Sequence, residues 1–226
     1  FFSEMWERFS FYGMRGMLAV FMVSQLQMDG TTANLQYGAT QAWVYAFTFI
    51  GGLFADKILG LRKSLFWGGI LMIIGSVILA ISPKELFFTG IGFSIVGTGF
   101  FKPNISSMVG QLYKEGDVRR DAGFSLFYAG INLGALLGGY VCIAVANGNL
   151  WESFVPENLR WNYAFGFASI VMVISLLTFT QTQKKLGEIG LSPLLNLEKS
   201  KRKMYEVLTY IGSLALIPII ILMVAN

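Results

Sequence analysis

Apolar positions fall in seven blocks separated by polar stretches, at about 1–27, 39–55, 64–81, 86–112, 122–146, 163–179 and 207–225. A helix needs about 20 residues to cross the apolar core of a bilayer. The longer blocks meet that length, and the shorter ones reach it by borrowing interfacial residues at their ends. The pattern therefore predicts an all-α membrane protein in which each block is a spanning helix. The block at 1–27 departs from uniform apolarity. There Glu4, Glu7, Arg8 and Arg15 interrupt a run of Phe, Trp, Met, Leu, Ala and Val. At about 100° per residue the four charges share roughly one quadrant of the helix.

Glu4 precedes Arg8 by four residues, the favourable orientation for an ion pair along a helix, and Arg8 and Tyr12 repeat that spacing. A charge within lipid costs a few kcal/mol, so such residues face a protein interior or a water-filled cavity. The stripe reads as the wall of a polar cavity that handles ions or a charged solute. A structural ion pair that fixes helix packing fits the same spacing, and so does a helix lying on the membrane surface.

Composition removes most other classes. Of 226 residues, 54% are hydrophobic and 13% charged, against about a quarter charged in a soluble domain. Glycine is frequent, at 26 residues, as helices that approach closely in lipid require. Cys142 is the single cysteine and histidine is absent. An internal disulfide and a thiolate metal cluster are thereby excluded, and any proton relay must use carboxylates with Lys, Tyr or water. No nucleophile–base pair, metal cluster or nucleotide loop stands out. No enzyme activity, metal, cofactor or nucleic-acid partner is expected. The chain opens on Phe inside an apolar block and stops just after another, which reads as part of a longer protein.

The net charge of +4 matters less than its placement. Lys57, Arg62, Lys63, Lys114, Arg119, Arg120, Lys184, Lys185, Lys199, Lys201, Arg202 and Lys203 fall in alternate connections on one side. The other side has only Lys84 and Arg160. By the positive-inside rule the rich side is cytoplasmic, and the first helix starts in the cytoplasm. The mixed-charge stretch with Pro193 after the sixth block reads as a linker. It divides the chain into a six-helix bundle at 1–181, a cytoplasmic linker at 182–204 and a further helix at 205–226, which Pro218 is expected to kink.

Three more polar residues interrupt blocks. Tyr45 lies 12 residues before Lys57, Lys102 lies 12 before Lys114, and Asn132 lies 12 after Arg120. Twelve helical residues rise about 18 Å, which places all three near the midplane of a core about 30 Å thick. A solute site at the centre of a transporter requires that convergence. Singly, Tyr45 and Asn132 equally suit hydrogen bonding between helices. Lys102 is followed by Pro103, which sets a strained or kinked helix beside a buried amine. Gly130, Gly134 and Gly138, four apart, predict a close-packing face.

Four motifs now carry a resemblance. Glu4-Met-Trp-Glu7-Arg8-Phe9-Ser10-Phe11-Tyr12-Gly13-Met14-Arg15 resembles the first-helix signature of the proton-dependent oligopeptide transporters (POT/PTR), a branch of the major facilitator superfamily. Gly52-Leu53-Phe54-Ala55-Asp56-Lys57-Ile58-Leu59-Gly60 resembles the superfamily's motif between helices two and three. Phe101-Lys102-Pro103-Asn104, and the run from Gly116 through Asp121 to Gly134, resemble the same branch. The match spans the first six helices in order and implies the N-terminal half of such a transporter.

The resemblance implies proton coupling by Glu4, Glu7, Arg8 and Lys102. It implies substrate binding by Arg8, Tyr12, Tyr45, Lys102 and Asn132. Phe11 departs from the tyrosine pair common at that place, so one phenolic contact is absent or replaced. Arg15 is expected to close an outer gate with an acid of a second bundle, or else to snorkel. Asp56 with Arg62, and Asp121 with Arg119 and Arg120, are expected as cytoplasmic gate latches or as topology and capping residues. The implied function is proton-coupled import of di- and tripeptides across the plasma membrane, with the proton gradient in place of a cofactor. A relative moving another anionic solute such as nitrate is the alternative within the class. A channel or a membrane receptor is the alternative outside it.

Overall fold

The computed structural model describes residues 1–151 and 153–225. Among them are seven α-helices: α1 (Phe2–Ser24), α2 (Gly30–Phe54), α3 (Leu61–Ile81), α4 (Phe87–Gln111), α5 (Arg119–Ala146), α6 (Arg160–Thr182) and α7 (Lys199–Ala225). At 1.5 Å per residue they are about 30–40 Å long, enough to traverse a bilayer. Among the described residues α2, α3, α5, α6 and α7 are long and apolar enough to cross a membrane. The other two, α1 and α4, carry Glu4, Glu7, Arg8, Arg15 and Lys102.

In the bundle α1 packs against α5 and α6, α4 packs against α2 and α3, and α3 meets α6. A second seam joins α1 to α2 and α4 to α5. On one side Phe21 of α1 lies 5.0 Å from Phe87, 5.1 Å from Trp161 and 5.6 Å from Phe165, ring centre to ring centre. This aromatic cluster ties α1, α4 and α6 together at one level. The glycines expected to form a packing face do so. A methyl group on Gly134 or Gly138 would overlap the carbonyl oxygen of Met5 or Phe9, so α5 lies directly on the backbone of α1.

Five of the seven helices described, all but α1 and α4, begin earlier than their apolar blocks. α2 starts at Gly30 rather than at 39 because Asp29 caps it: Oδ1 accepts from the amides of Thr31 and Thr32, each at 3.0 Å. A polar first turn thus belongs to the helix and not to the connection. Likewise α7 starts at Lys199, inside the stretch read as a linker to 204, since its basic first turns are helical. Both proline-containing helices, α4 with Pro103 and α7 with Pro218, run on as single α-helices.

The connection from α2 to α3 is a π-helical turn, Ala55–Leu59, closed by Gly60 at φ +77°. Only glycine fits there, because a Cβ would overlap the Leu191–Ser192 peptide. That contact fastens the segment after α6. Ser192 Oγ donates to the Ile58 carbonyl at 2.5 Å. Arg62 donates from its amide to Gly190 O at 3.0 Å, from Nε to Ile189 O at 2.7 Å and from Nη2 to Gly187 O at 2.6 Å. α7 lies outside the bundle on α4 and α2. It is held by Lys63 Nζ at 2.5 Å from Glu206 Oε1 and by Gln36 Nε2 donating to Ala225 O at 3.2 Å.

Candidate functional site

Helical spacing of three and four residues sets Glu4, Glu7, Arg8, Phe11, Tyr12 and Arg15 along one side of α1. Arg8 is 3% exposed and both glutamates are fully buried. Its Nε donates to Glu4 Oε1 at 2.7 Å and lies 3.0 Å from Glu7 Oε2. One guanidinium thus serves two carboxylates. Glu4 Oε2 and both Glu7 oxygens are buried with no hydrogen-bond donor among the described residues. A buried carboxylate oxygen without a donor carries a desolvation cost that the nearby Arg8 guanidinium offsets by charge alone.

Phe11 is buried at 3% exposure and stands between two cations. The Arg8 guanidinium carbon and the Lys102 Nζ each lie 5.8 Å from its ring centre. Lys102 is also 4.7 Å from the ring centre of Tyr45 on α2. The position where a phenol was expected therefore holds an apolar ring that α1 and α4 share through cation–π contact. Beside Lys102, Pro103 supplies no amide for the Gly99 carbonyl. The buried Asn104 side chain donates from Nδ2 to Phe100 O at 2.7 Å, a turn away.

One helical step further, Arg15 donates from Nε to the Tyr37 hydroxyl at 2.8 Å. Its guanidinium carbon stands 5.9 Å from the ring centres of both Tyr12 and Tyr37. The structure thus joins Glu4, Glu7, Arg8, Tyr12, Arg15, Tyr45 and Lys102 into one chain of contacts across α1, α2 and α4. Asn132 stays apart. It is exposed on the side of α5 away from Gly130 and Gly134, which meet α1. Its level is shared, however, since Gly134 packs on Met5 and Arg8, only about 3 Å of helix rise away.

Three of the basic residues expected at the latches engage other groups here. The Arg62 guanidinium engages the Gly187 and Ile189 carbonyls. Arg119 pairs with Asp117, not with Asp121: Nη2–Oδ2 is 2.8 Å and Nε–Oδ1 is 3.1 Å. Asp121 accepts from Ser125 Oγ through its backbone carbonyl, and Arg120 lies 5.9 Å from the Phe124 ring centre. Asp117 sits in the connection between α4 and α5. Its bonds from the Arg119 side chain and amide hold its carboxyl down at about 2.

Tyr37 and Asp117 are the residues that the sequence reading missed. Tyr37 stands eight before Tyr45, a spacing that keeps one helix face, but the signal is lost once 29–37 is taken as a connection. Asp117 precedes Arg119 by two, a loop pairing that helix periodicity does not reveal.

Comparison with known proteins follows the same lines. Residues 62–205 match the family described as the POT family. The chain is 40% identical over 197 residues to an uncharacterized transporter, YclF, of Bacillus subtilis, covering 84% of this chain and 38% of that protein. It is 40% identical to the peptide transporter YePEPT of Yersinia enterocolitica, covering 79% and 35%. It is 36% identical to a di-/tripeptide transporter of Lactococcus lactis subsp. cremoris, covering 95% and 43%. The chain thus spans less than half the length of these curated relatives. Among solved structures it resembles a mutant of the peptide transporter POT in complex with alafosfalin, with TM-score 0.78 and 36% identity over 96% of this chain and 44% of that one. It also resembles a POT family transporter in complex with 5-aminolevulinic acid, with TM-score 0.77 and 35% identity over 99% and 45%.

Proposed function

The chain belongs to the POT family, and from that premise we propose that it forms the N-terminal bundle of a transporter importing di- and tripeptides with protons by alternating access. Its relatives are transporters rather than enzymes. The observation that carries the reading is the buried Arg8 held between Glu4 and Glu7, beside a Lys102 that shares the Phe11 ring.

A free peptide ends in a carboxylate. Arg8 offers the planar fork that suits a carboxylate, and Lys102 a point charge on a flexible stem. With both glutamates ionised, one guanidinium faces two carboxylates and is held by them. A proton on Glu7 or Glu4 removes one of those attractions, and Arg8 then turns to the peptide. Deprotonation draws it back. Proton and peptide are thereby linked through one cation, and linkage of this kind acts in both directions. Tyr12, Tyr45 and Asn132 provide hydrogen bonds for the peptide amides and amine, with water filling around varied side chains. Arg15 with Tyr37 and Tyr12 acts at the opposite end from the basic connections, which face the cytoplasm of the plasma membrane in this reading.

Dipeptide uptake by the full-length transporter in vesicles tests the proposal. Accumulation driven by an inward proton gradient and abolished by a protonophore is expected. Uptake that only equilibrates would indicate a channel, and no uptake at all would overturn the reading. A second reading, transport of another small solute that bears a carboxylate, draws support from the solved POT family transporter in complex with 5-aminolevulinic acid. Competition between that compound and a dipeptide ranks the two.

A further inference from the structure

Between α3 and α7, at the basic end of the bundle, lies a groove of about 450 Å³ that the transport reading does not use. Its lining changes along α3. Arg62 and Lys63 form the rim, Phe66 and Trp67 the next turn, and Ile70 the turn beyond; Tyr210 of α7 forms the facing wall. From Arg62 to Ile70 the helix rises about 12 Å. A cationic rim thus grades into an apolar slot over the depth of a glycerophosphate and its first methylenes.

The walls are fixed rather than collapsible. Trp67 Nε1 donates to Ser213 Oγ at 3.0 Å, and the Trp67 and Tyr210 ring centres are 4.7 Å apart. Phe66 is 42% exposed. Trp and Tyr at this level are the residues that prefer the boundary between headgroups and acyl chains.

The charge at the rim is unbalanced. Glu206 is shared by Lys63 at 2.5 Å and Arg202 at 3.9 Å, and Arg62, bonded to neutral carbonyls, adds a third cation. One carboxylate against three cations leaves room for an anion. In the sequence that follows α6 and opens α7, Lys184, Lys185, Lys199, Lys201 and Lys203 outnumber Glu188 and Glu198, so the excess charge there is also positive.

We propose that this groove binds an anionic phospholipid, with its phosphate at the Arg62–Lys63 rim and an acyl chain along Phe66, Trp67 and Ile70. Basic pockets between spanning helices on the cytoplasmic side hold such headgroups by the same combination of charge and apolar contact. The site does not depend on what the transporter carries.

Trp67 is the built-in reporter. The full-length protein is placed in phosphatidylcholine vesicles containing a minor fraction of dibrominated phosphatidylglycerol or, separately, dibrominated phosphatidylcholine. The emission lost in Trp67→Phe defines the Trp67 signal. That signal is expected to be quenched with about fivefold or greater preference for phosphatidylglycerol, and Lys63→Gln is expected to reduce the preference by about fivefold. Lys63→Arg should keep it. Equal quenching by the two lipids, or a Trp67 signal that neither lipid reaches because other chain covers the groove, would overturn the proposal. Loss of the preference on adding inorganic phosphate would also overturn it, by making this a free-anion site. If Lys63→Gln does not fold, the comparison of the two lipids on the unaltered protein decides alone.

Discussion

The Lys102 ammonium stands 4.7 Å over the ring of Tyr45, on the neighbouring helix. Tyr45 is 60% exposed while Phe11, the other ring near the ammonium, is buried. A cation–π contact of this kind contributes about 0.5–2 kcal/mol. Tyr45→Leu is therefore expected to raise the KM for dipeptide by about 2- to 30-fold, while Tyr45→Phe, which keeps the ring, stays near the parent. Uptake rates at varied dipeptide concentration measure both. Equal effects of the two variants would assign the role to the hydroxyl instead.

Glu7 is buried, touches Arg8, and has two oxygens without donors. Glu7→Gln mimics its protonated form permanently. Proton-driven accumulation should fall by about tenfold or more, while exchange of peptide for peptide, which needs no net proton movement, persists. Exchange and accumulation are measured in the same vesicles. Full accumulation in Glu7→Gln would move the coupling role to Glu4.

Gly138 presses on the Phe9 carbonyl, whereas nothing lies within 4 Å of where a Gly139 side chain would begin. Gly138→Ala must push α5 off α1, and overpacking of this kind costs about 1–3 kcal/mol. Thermal unfolding in detergent should show a lower Tm for Gly138→Ala and an unchanged one for Gly139→Ala.

Arg62 ties the segment after α6 through two carbonyls at once. Arg62→Gln should expose residues 187–192 to protease cleavage, and Arg62→Lys should rescue only in part, because a single ammonium does not reproduce the fork. Cleavage rates of the folded protein in detergent give the comparison.

The carboxyl of Asp117 lies at about 2, below its ordinary 3.8, because Arg119 bonds it. A group lowered in the folded state adds stability above its ordinary value and loses it as pH falls through the lowered one. The Asp117–Arg119 pair is therefore expected to stay intact down to about pH 4 and to break only near pH 2. A carboxyl-carbon NMR titration follows it directly. This ion pair is thus insensitive to the pH range of a transmembrane proton gradient.

The spanning helices and the ionised stripe were legible because lipid leaves few alternatives for either. The spacing of Gly130, Gly134 and Gly138 likewise announced their contact face, since backbone approach demands the absence of a side chain. The start of α2 was not legible from hydropathy. Thr31, Thr32, Asn34 and Gln36 look like a connection until Asp29 is recognised as a cap. Tyr37 was lost with that turn, and with it the partner of Arg15. The environment of Arg62 was hidden for a different reason. Its acceptors are backbone carbonyls more than 120 residues away, and any residue supplies a carbonyl.

Because Gly134 and Gly138 seat α5 directly on the carbonyls of Met5 and Phe9, these two helices cannot slide or roll separately. Asn132 is exposed, yet it is bolted through α5 to the helix that bears Glu4, Glu7 and Arg8. Any tilt of α1 would therefore swing Asn132 by the same arc. In the proposed cycle the Asn132 amide and the Arg8 guanidinium would travel as one jaw, while Lys102 belongs to α4.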